Sequence, residues 1–135
     1  MPLNNLTTMI KEAYCNYEVS ELLKEKGFDE ECTHYYSYED DELIEYTNGV
    51  YSRNSKDCHR CTSPTHQMAC AWLRDKKYIS IVIDDEIPLS YKYIIKKYNI
   101  TELYKVEVLK LDSLPFAKYE DAVEAAIKYC LENLI

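Results

Sequence analysis

The apolar positions along the chain mark out helices first. Between Asn16, whose side chain can cap a helix, and Gly27, which can end one in the left-handed conformation, apolar residues recur at helical spacing. This segment predicts a helix over residues 17–26. A longer helix is predicted over residues 119–135, where one face is apolar throughout. That face consists of Ala122, Val123, Ala126, Ile127, Cys130, Leu131 and Leu134.

A third helix is predicted between these two, beginning at Pro64. Thr62 and Ser63 precede the proline, and a hydroxyl side chain followed by proline at the first helical position is a strong start signal. Lys76 and Lys77 suit its C-terminal end, where positive charge complements the helix dipole. The helix therefore covers the segment from Pro64 to about Lys77.

Five runs rich in β-branched and aromatic residues predict strands. They are residues 33–38, 43–47, 78–83, 90–98 and 103–111. Residues 48–63 show little pattern and form the longest predicted loop, a feature that is often functional. The resulting order is α-β-β-α-β-β-β-α, which favours an α+β fold with a mainly antiparallel sheet of about five strands and helices packed on it. We expect one domain over residues 1–135, with residues 1–15 as a loosely attached N-terminal segment.

Composition narrows the classes of function. The chain has 135 residues, a net charge of −8 and two glycines, so Gly-rich phosphate loops are excluded and nucleic acid is a poor partner. No apolar run reaches the length of a membrane span, and the first residues lack the basic and apolar regions of a signal peptide. We expect a cytoplasmic protein whose six cysteines stay reduced. Three short acidic runs are interpreted as solvated turns, or alternatively as a surface that imitates nucleic acid or as a site for a divalent ion.

The sharpest chemical feature is a pair of cysteines in a C-x-x-C spacing. Cys58 and Cys61 form this pair, and His66 and Cys70 follow closely. Thiolates and imidazoles are the donors that zinc prefers, so these four residues are the candidate zinc ligands. One alternative is that these side chains have no joint function and the thiols simply stay reduced in the cytosol. A less favoured alternative is that the C-x-x-C pair is a redox-active dithiol. No other cofactor is indicated, and no catalytic residue is assigned.

The second feature is the excess of tyrosine, with 14 in the chain. Tyr35, Tyr36 and Tyr38 lie on one predicted strand, and Tyr91 and Tyr93 lie on another. Tyrosine combines a large apolar ring with a hydroxyl that can stay hydrated, and it is enriched on surfaces that recognise partners. These five residues are therefore the candidate surface for a protein or small-molecule partner. The alternative is that the rings complete a thin core.

Three segments resemble a known family. They are Leu22 to Phe28, then Pro64-Thr65 through Trp72-Leu73-Arg74, and the final stretch from Tyr119 to Ile135. Together they resemble short uncharacterised proteins of gut Bacteroidetes, their phages and mobile elements. The resemblance implies a cytoplasmic setting in the bacterium or the infected cell, and no established activity.

We therefore predict a non-enzymatic binding or inhibitory protein of a phage or mobile element. It would engage a host protein or a small ligand, including a nucleotide, through its tyrosine-rich surface. Two alternatives stay open, a small zinc-stabilised domain and an enzyme of unrecognised type.

Overall fold

The structure, a computed structural model, confirms the predicted α+β class. Its described residues form three α-helices and two antiparallel sheets of three strands each. They are residues 10–56, 59–99, 101–102, 105–111 and 114–135, without the side chains of residues 48, 110 and 111. None of the described helices is long and apolar enough to cross a membrane.

The elements follow the predicted order with two additions, a short strand and a 3₁₀ turn between the second and third predicted strands. The helices are α1 (Tyr17–Glu25), α2 (His66–Lys77) and α3 (Tyr119–Asn133). The strands are β1 (His34–Tyr36), β2 (Leu43–Glu45), β3 (Cys61–Ser63), β4 (Ile79–Ile87), β5 (Ser90–Tyr98) and β6 (Val106–Leu111). A short 3₁₀ turn, Thr47–Gly49, follows β2. Within the described residues the strands divide between two sheets, in the orders β2-β1-β3 and β4-β5-β6.

The structure corrects the predicted start of α2. The helix begins at His66, and the Thr65 side chain caps it by accepting a hydrogen bond from the Met68 N–H at 3.1 Å. Thr62 and Ser63, which the sequence places in the helix start, belong to β3 and pair with β1. All three residues of β3 are buried. Because buried backbone groups need hydrogen-bond partners, a strand beside β1 is favoured over an isolated cap there.

The predicted core faces are confirmed. Every predicted residue of the α3 face is buried except Leu134, which packs at the edge of the core. Gly27 ends α1 at a φ of 94°, as predicted for a left-handed stop. The next residue, Phe28, turns back into the core, where its ring meets the Trp72 ring edge-on with centroids 5.6 Å apart. One core therefore joins α1, α2, α3 and the second sheet.

Candidate metal centre

The backbone brings Cys15 and His66 together. The segment before α1 runs antiparallel to the segment between β3 and α2, so the Cys15 N–H donates to the Pro64 carbonyl at 3.0 Å. The His66 N–H donates to the Ala13 carbonyl at 2.8 Å. Residues 1–9 of the predicted loose N-terminal segment lie outside the described residues. Its end at Ala13–Cys15 is held by these hydrogen bonds.

The carbonyl of Cys15 receives an unusual number of hydroxyl groups. It accepts hydrogen bonds from Ser63 Oγ at 2.8 Å, Tyr36 Oη at 3.0 Å and Ser20 Oγ at 3.3 Å. The three donors come from β3, β1 and α1, and all three hydrogen bonds are buried. The carbonyl of Cys15 is therefore hydrogen-bonded to three different elements, and its N–H is hydrogen-bonded to Pro64.

Helix α3 contributes the third member of the group, Glu124. Its Oε1 lies 2.9 Å from His66 Nε2, and the side chains of the two residues are only 12% and 20% exposed. The Asn16 N–H, at the start of α1, donates to both carboxylate oxygens at 3.2 and 3.3 Å. Glu124 thus joins α3 to the starts of both α1 and α2.

These contacts create a compact group of three candidate metal ligands, which we call the metal-binding group. The Cys15 sulfur, a His66 ring nitrogen and a Glu124 carboxylate oxygen all lie within 4.8 Å of one another. Thiolate, imidazole and carboxylate are the three donor types that proteins offer to zinc. Donors around tetrahedral zinc lie about 3.5 Å apart, so an ion would replace the hydrogen bond between His66 and Glu124 and would draw the most distant of the three donors closer by up to about an ångström.

The electrostatics of the group depend on its burial. Burial raises the pKa of the Cys15 thiol well above its usual value, and the negative charge of Glu124 adds to the rise. Without a cation the thiol is therefore protonated at neutral pH and is a poor nucleophile. A divalent ion beside it would reverse that preference, because it stabilises the thiolate directly.

The predicted ligand set overlaps this group at one residue. Of the candidate ligands that the structure describes, His66 belongs to the group, whereas Cys61 and Cys70 do not. Cys61 is buried in β3, and Cys70 packs half-buried against the core, where burial raises its pKa to about 11. Cys58 lies outside the described residues.

Sequence reasoning missed Cys15 and Glu124. Cys15 directly precedes the cap of α1, and no motif or short spacing connects it to His66. Glu124 gives a faint signal, since this carboxylate stands between the apolar positions Val123 and Ala126 of the predicted core face. A carboxylate at the edge of such a face needs a partner when the helix packs. His66 is that partner.

The tyrosines of the first sheet have different environments. Tyr36 is buried and its hydroxyl donates to the Cys15 carbonyl, whereas Tyr38 is 72% exposed. Tyr35 is half-buried and stacks on the His59 ring, with centroids 3.9 Å apart and an interplanar angle of 12°. Only Tyr38 of the three presents most of its ring to solvent.

The tyrosines of the second sheet are also largely packed. Tyr93 is buried, with its ring centroid 6.4 Å from that of Phe116 and 6.5 Å from that of Tyr129. Tyr91 is half-buried and meets Tyr119 edge-on at 5.8 Å. Four of the five candidate residues thus lie on two separate sheets, Tyr38 follows the end of β1, and two of the five, Tyr36 and Tyr93, are core residues.

A cleft of about 470 Å³ adjoins the metal-binding group. Its lining includes His66 and Cys70, and charged side chains of both signs, Arg74 and Glu120. His66 is thus the member of the group that this cleft connects to solvent.

The protein is therefore an α+β domain in which a thiol, an imidazole and a carboxylate lie within 4.8 Å of one another. No protein-family model matches the chain, and neither the curated proteins nor the solved structures give a significant match. The resemblance to short proteins of Bacteroidetes and their phages stays a prediction.

Proposed function

We propose that the protein is a zinc-binding domain in which Cys15, His66 and Glu124 hold the ion. The observation that carries the proposal is the convergence of their three donor atoms within 4.8 Å. Two of the donors bear a negative charge when ionised, and the site is largely removed from water, where a cation compensates such charges most strongly. Three protein donors leave a fourth position for water or for a ligand from the adjoining cleft.

The ion would act as a cross-link. Its donors come from the segment before α1, from the first residue of α2 and from the middle of α3. These elements are far apart in sequence, so an ion that binds all three stabilises only the folded chain. Zinc would therefore strengthen the joint at which the N-terminal segment and two helices meet.

We propose further that the domain acts by binding a partner in the cytoplasm of a bacterium or a phage-infected cell, without catalysis. The raised pKa of Cys15 supports a non-catalytic thiol. The five described cysteines are all thiols, which fits a reducing compartment. The exposed ring of Tyr38 is the part of the predicted tyrosine surface that remains accessible to a partner.

Elemental analysis of protein purified without chelator tests the zinc proposal. We expect about one zinc per chain, lost in Cys15→Ser and in His66→Gln. Cys70→Ser is the matched control, because Cys70 is a nearby half-buried thiol outside the group, and it should retain the metal. A content below about a tenth of an ion per chain would contradict the proposal, since a structural site retains its metal on purification.

Cobalt substitution separates loss of a ligand from loss of the fold. Co²⁺ bound to a thiolate gives a charge-transfer absorption that depends on the sulfur alone. We expect this band in the unaltered chain and in Cys70→Ser, and its absence in Cys15→Ser when circular dichroism shows that the variant is folded. A band that survives in folded Cys15→Ser would assign the thiolate to another cysteine and overturn the ligand set.

A further inference from the structure

A second cleft, of about 580 Å³, lies where the end of α2 meets the end of β5 and the start of β6. We call it the lysine–tyrosine cleft. Its lining includes Lys76, Lys77, Lys97 and Lys105 and two tyrosines, Tyr78 and Tyr98. One acidic side chain, that of Glu107, faces these four lysines in the lining, although the chain as a whole carries a net charge of −8. Positive charge is thus concentrated at one place on an acidic protein.

Structural roles account for two of the four lysines. The Lys77 ammonium lies 5.3 Å from the centroid of the Trp72 ring, and Lys105 pairs with Glu102 at 2.9 Å. Lys76 and Lys97 form no ion pair with any residue that the structure describes, although Glu107 stands opposite Lys97 in the register of β5 and β6. Two like charges beside one cleft repel each other, and an anion between them removes that repulsion.

The two tyrosines are held side by side. The Tyr98 N–H donates to the Tyr78 carbonyl at 2.9 Å, and the two residues are 42% and 40% exposed. Tyr78 ends α2 in the left-handed conformation, at φ 60° and ψ 30°. This position usually carries glycine, because a side chain in the left-handed conformation is strained.

We propose that the lysine–tyrosine cleft binds a nucleotide. Lysine ammonium groups are point-charge ligands for phosphate, and exposed tyrosine rings are platforms for a base. The volume of the cleft falls within the range of small-molecule sites, about 300–1,000 Å³. In this assignment Lys76 and Lys97 contact the phosphates, and Tyr78 and Tyr98 contact the base. The site uses no residue of the metal-binding group and stands independently of it.

Calorimetric titration at low ionic strength tests the ligand class. The probes are ATP, AMP, adenosine and inorganic pyrophosphate. We expect ATP to bind most tightly, AMP more weakly, and both pyrophosphate and adenosine more weakly than ATP, because each lacks half of the recognised chemistry. Binding should weaken as salt is added. Pyrophosphate that binds as tightly as ATP would overturn the assignment and leave a simple anion site, and no binding of ATP up to about 1 mM would overturn it altogether.

Variants locate the site. Lys76→Ala and Lys97→Ala should each weaken ATP about tenfold, since each removes a charge-assisted contact. Lys92→Ala makes the same change of net charge at the beginning of β5, outside the lining, and should leave affinity unchanged. Tyr98→Phe should retain binding, whereas Tyr98→Ala should lose it. Equal losses in Lys92→Ala and Lys97→Ala would show that net charge, and not this cleft, attracts the ligand.

Amide chemical-shift mapping provides a readout that does not depend on a substitution. On addition of ATP, the largest changes should fall on the end of α2, on Tyr78 and on the end of β5. Changes concentrated around the first sheet would contradict the proposal.

Discussion

The metal-binding group and the lysine–tyrosine cleft use polar side chains in opposite ways. In the group, Glu124 accepts hydrogen bonds from the Asn16 N–H and lies 2.9 Å from His66. Its members come from distant parts of the sequence and are largely removed from water. In the cleft, Lys76 and Lys97 stand in solvent, without ion pairs to the described residues.

The difference concerns where a ligand would act. Groups in a buried, mutually satisfied cluster support the fold, so an ion that joins them adds to the stability of the whole chain. Side chains around an open cleft contribute little to the fold, and surface ion pairs are themselves weak. Substitutions in the two places should therefore have different effects. Those in the metal-binding group should change the stability of the fold, and those in the lysine–tyrosine cleft should change the affinity for the ligand.

The largest effect should come from the metal. With free zinc at about a thousand times its dissociation constant, we expect the free energy of unfolding to rise by about 4 kcal/mol. Urea denaturation with zinc and with chelator measures the difference. His66→Gln should abolish the rise, because the amide keeps a hydrogen bond to Glu124 but is a poor zinc ligand.

The cleft provides the control for that experiment. Lys76→Ala and Lys97→Ala should show the full stabilisation by zinc. If either reduced it as much as His66→Gln does, the two sites would not be independent, and the contrast between them would be wrong.

A smaller effect is expected from the carboxylate alone. Glu124→Ala removes the partner of both His66 Nε2 and the Asn16 N–H, and it should cost about 1–3 kcal/mol in metal-free protein. Glu132→Ala removes an exposed carboxylate from the same helix and should change stability by less than about 0.5 kcal/mol. Similar losses in the two variants would mean that Glu124 acts through general helix electrostatics and not through its contacts.

The fold could be predicted as far as local rules decide it. Asn16 and Gly27 mark the ends of α1, and they act on neighbouring backbone groups. Thr62 and Ser63 are different, because such residues cap helices and also suit strands. The choice between these states depends on β1, which lies far away in sequence and supplies the partner for β3. A three-residue strand has no periodicity of its own to reveal it.

The candidate site was predictable at only one residue for the same reason. His66 stood out because cysteines surround it in sequence, yet its partners in the structure are Cys15 and Glu124. Spacing finds metal sites whose ligands lie in one local turn. A site that joins three distant elements becomes visible only after the helices have packed, since packing determines which side chains meet.

The smallest expected effects concern two residues in the left-handed conformation, Tyr78 and Leu89, both with φ of 60°. Glycine at either position relieves strain, so Leu89→Gly and Tyr78→Gly should each raise the free energy of unfolding by about 0.5–1 kcal/mol. Leu89 lies in the exposed turn between β4 and β5, away from the cleft lining, whereas Tyr78 lines the cleft. Nucleotide binding should therefore survive Leu89→Gly and weaken in Tyr78→Gly. A gain in stability with unchanged affinity in Tyr78→Gly would show that the ring has no role in the ligand site, and that its conformation is tolerated without a function.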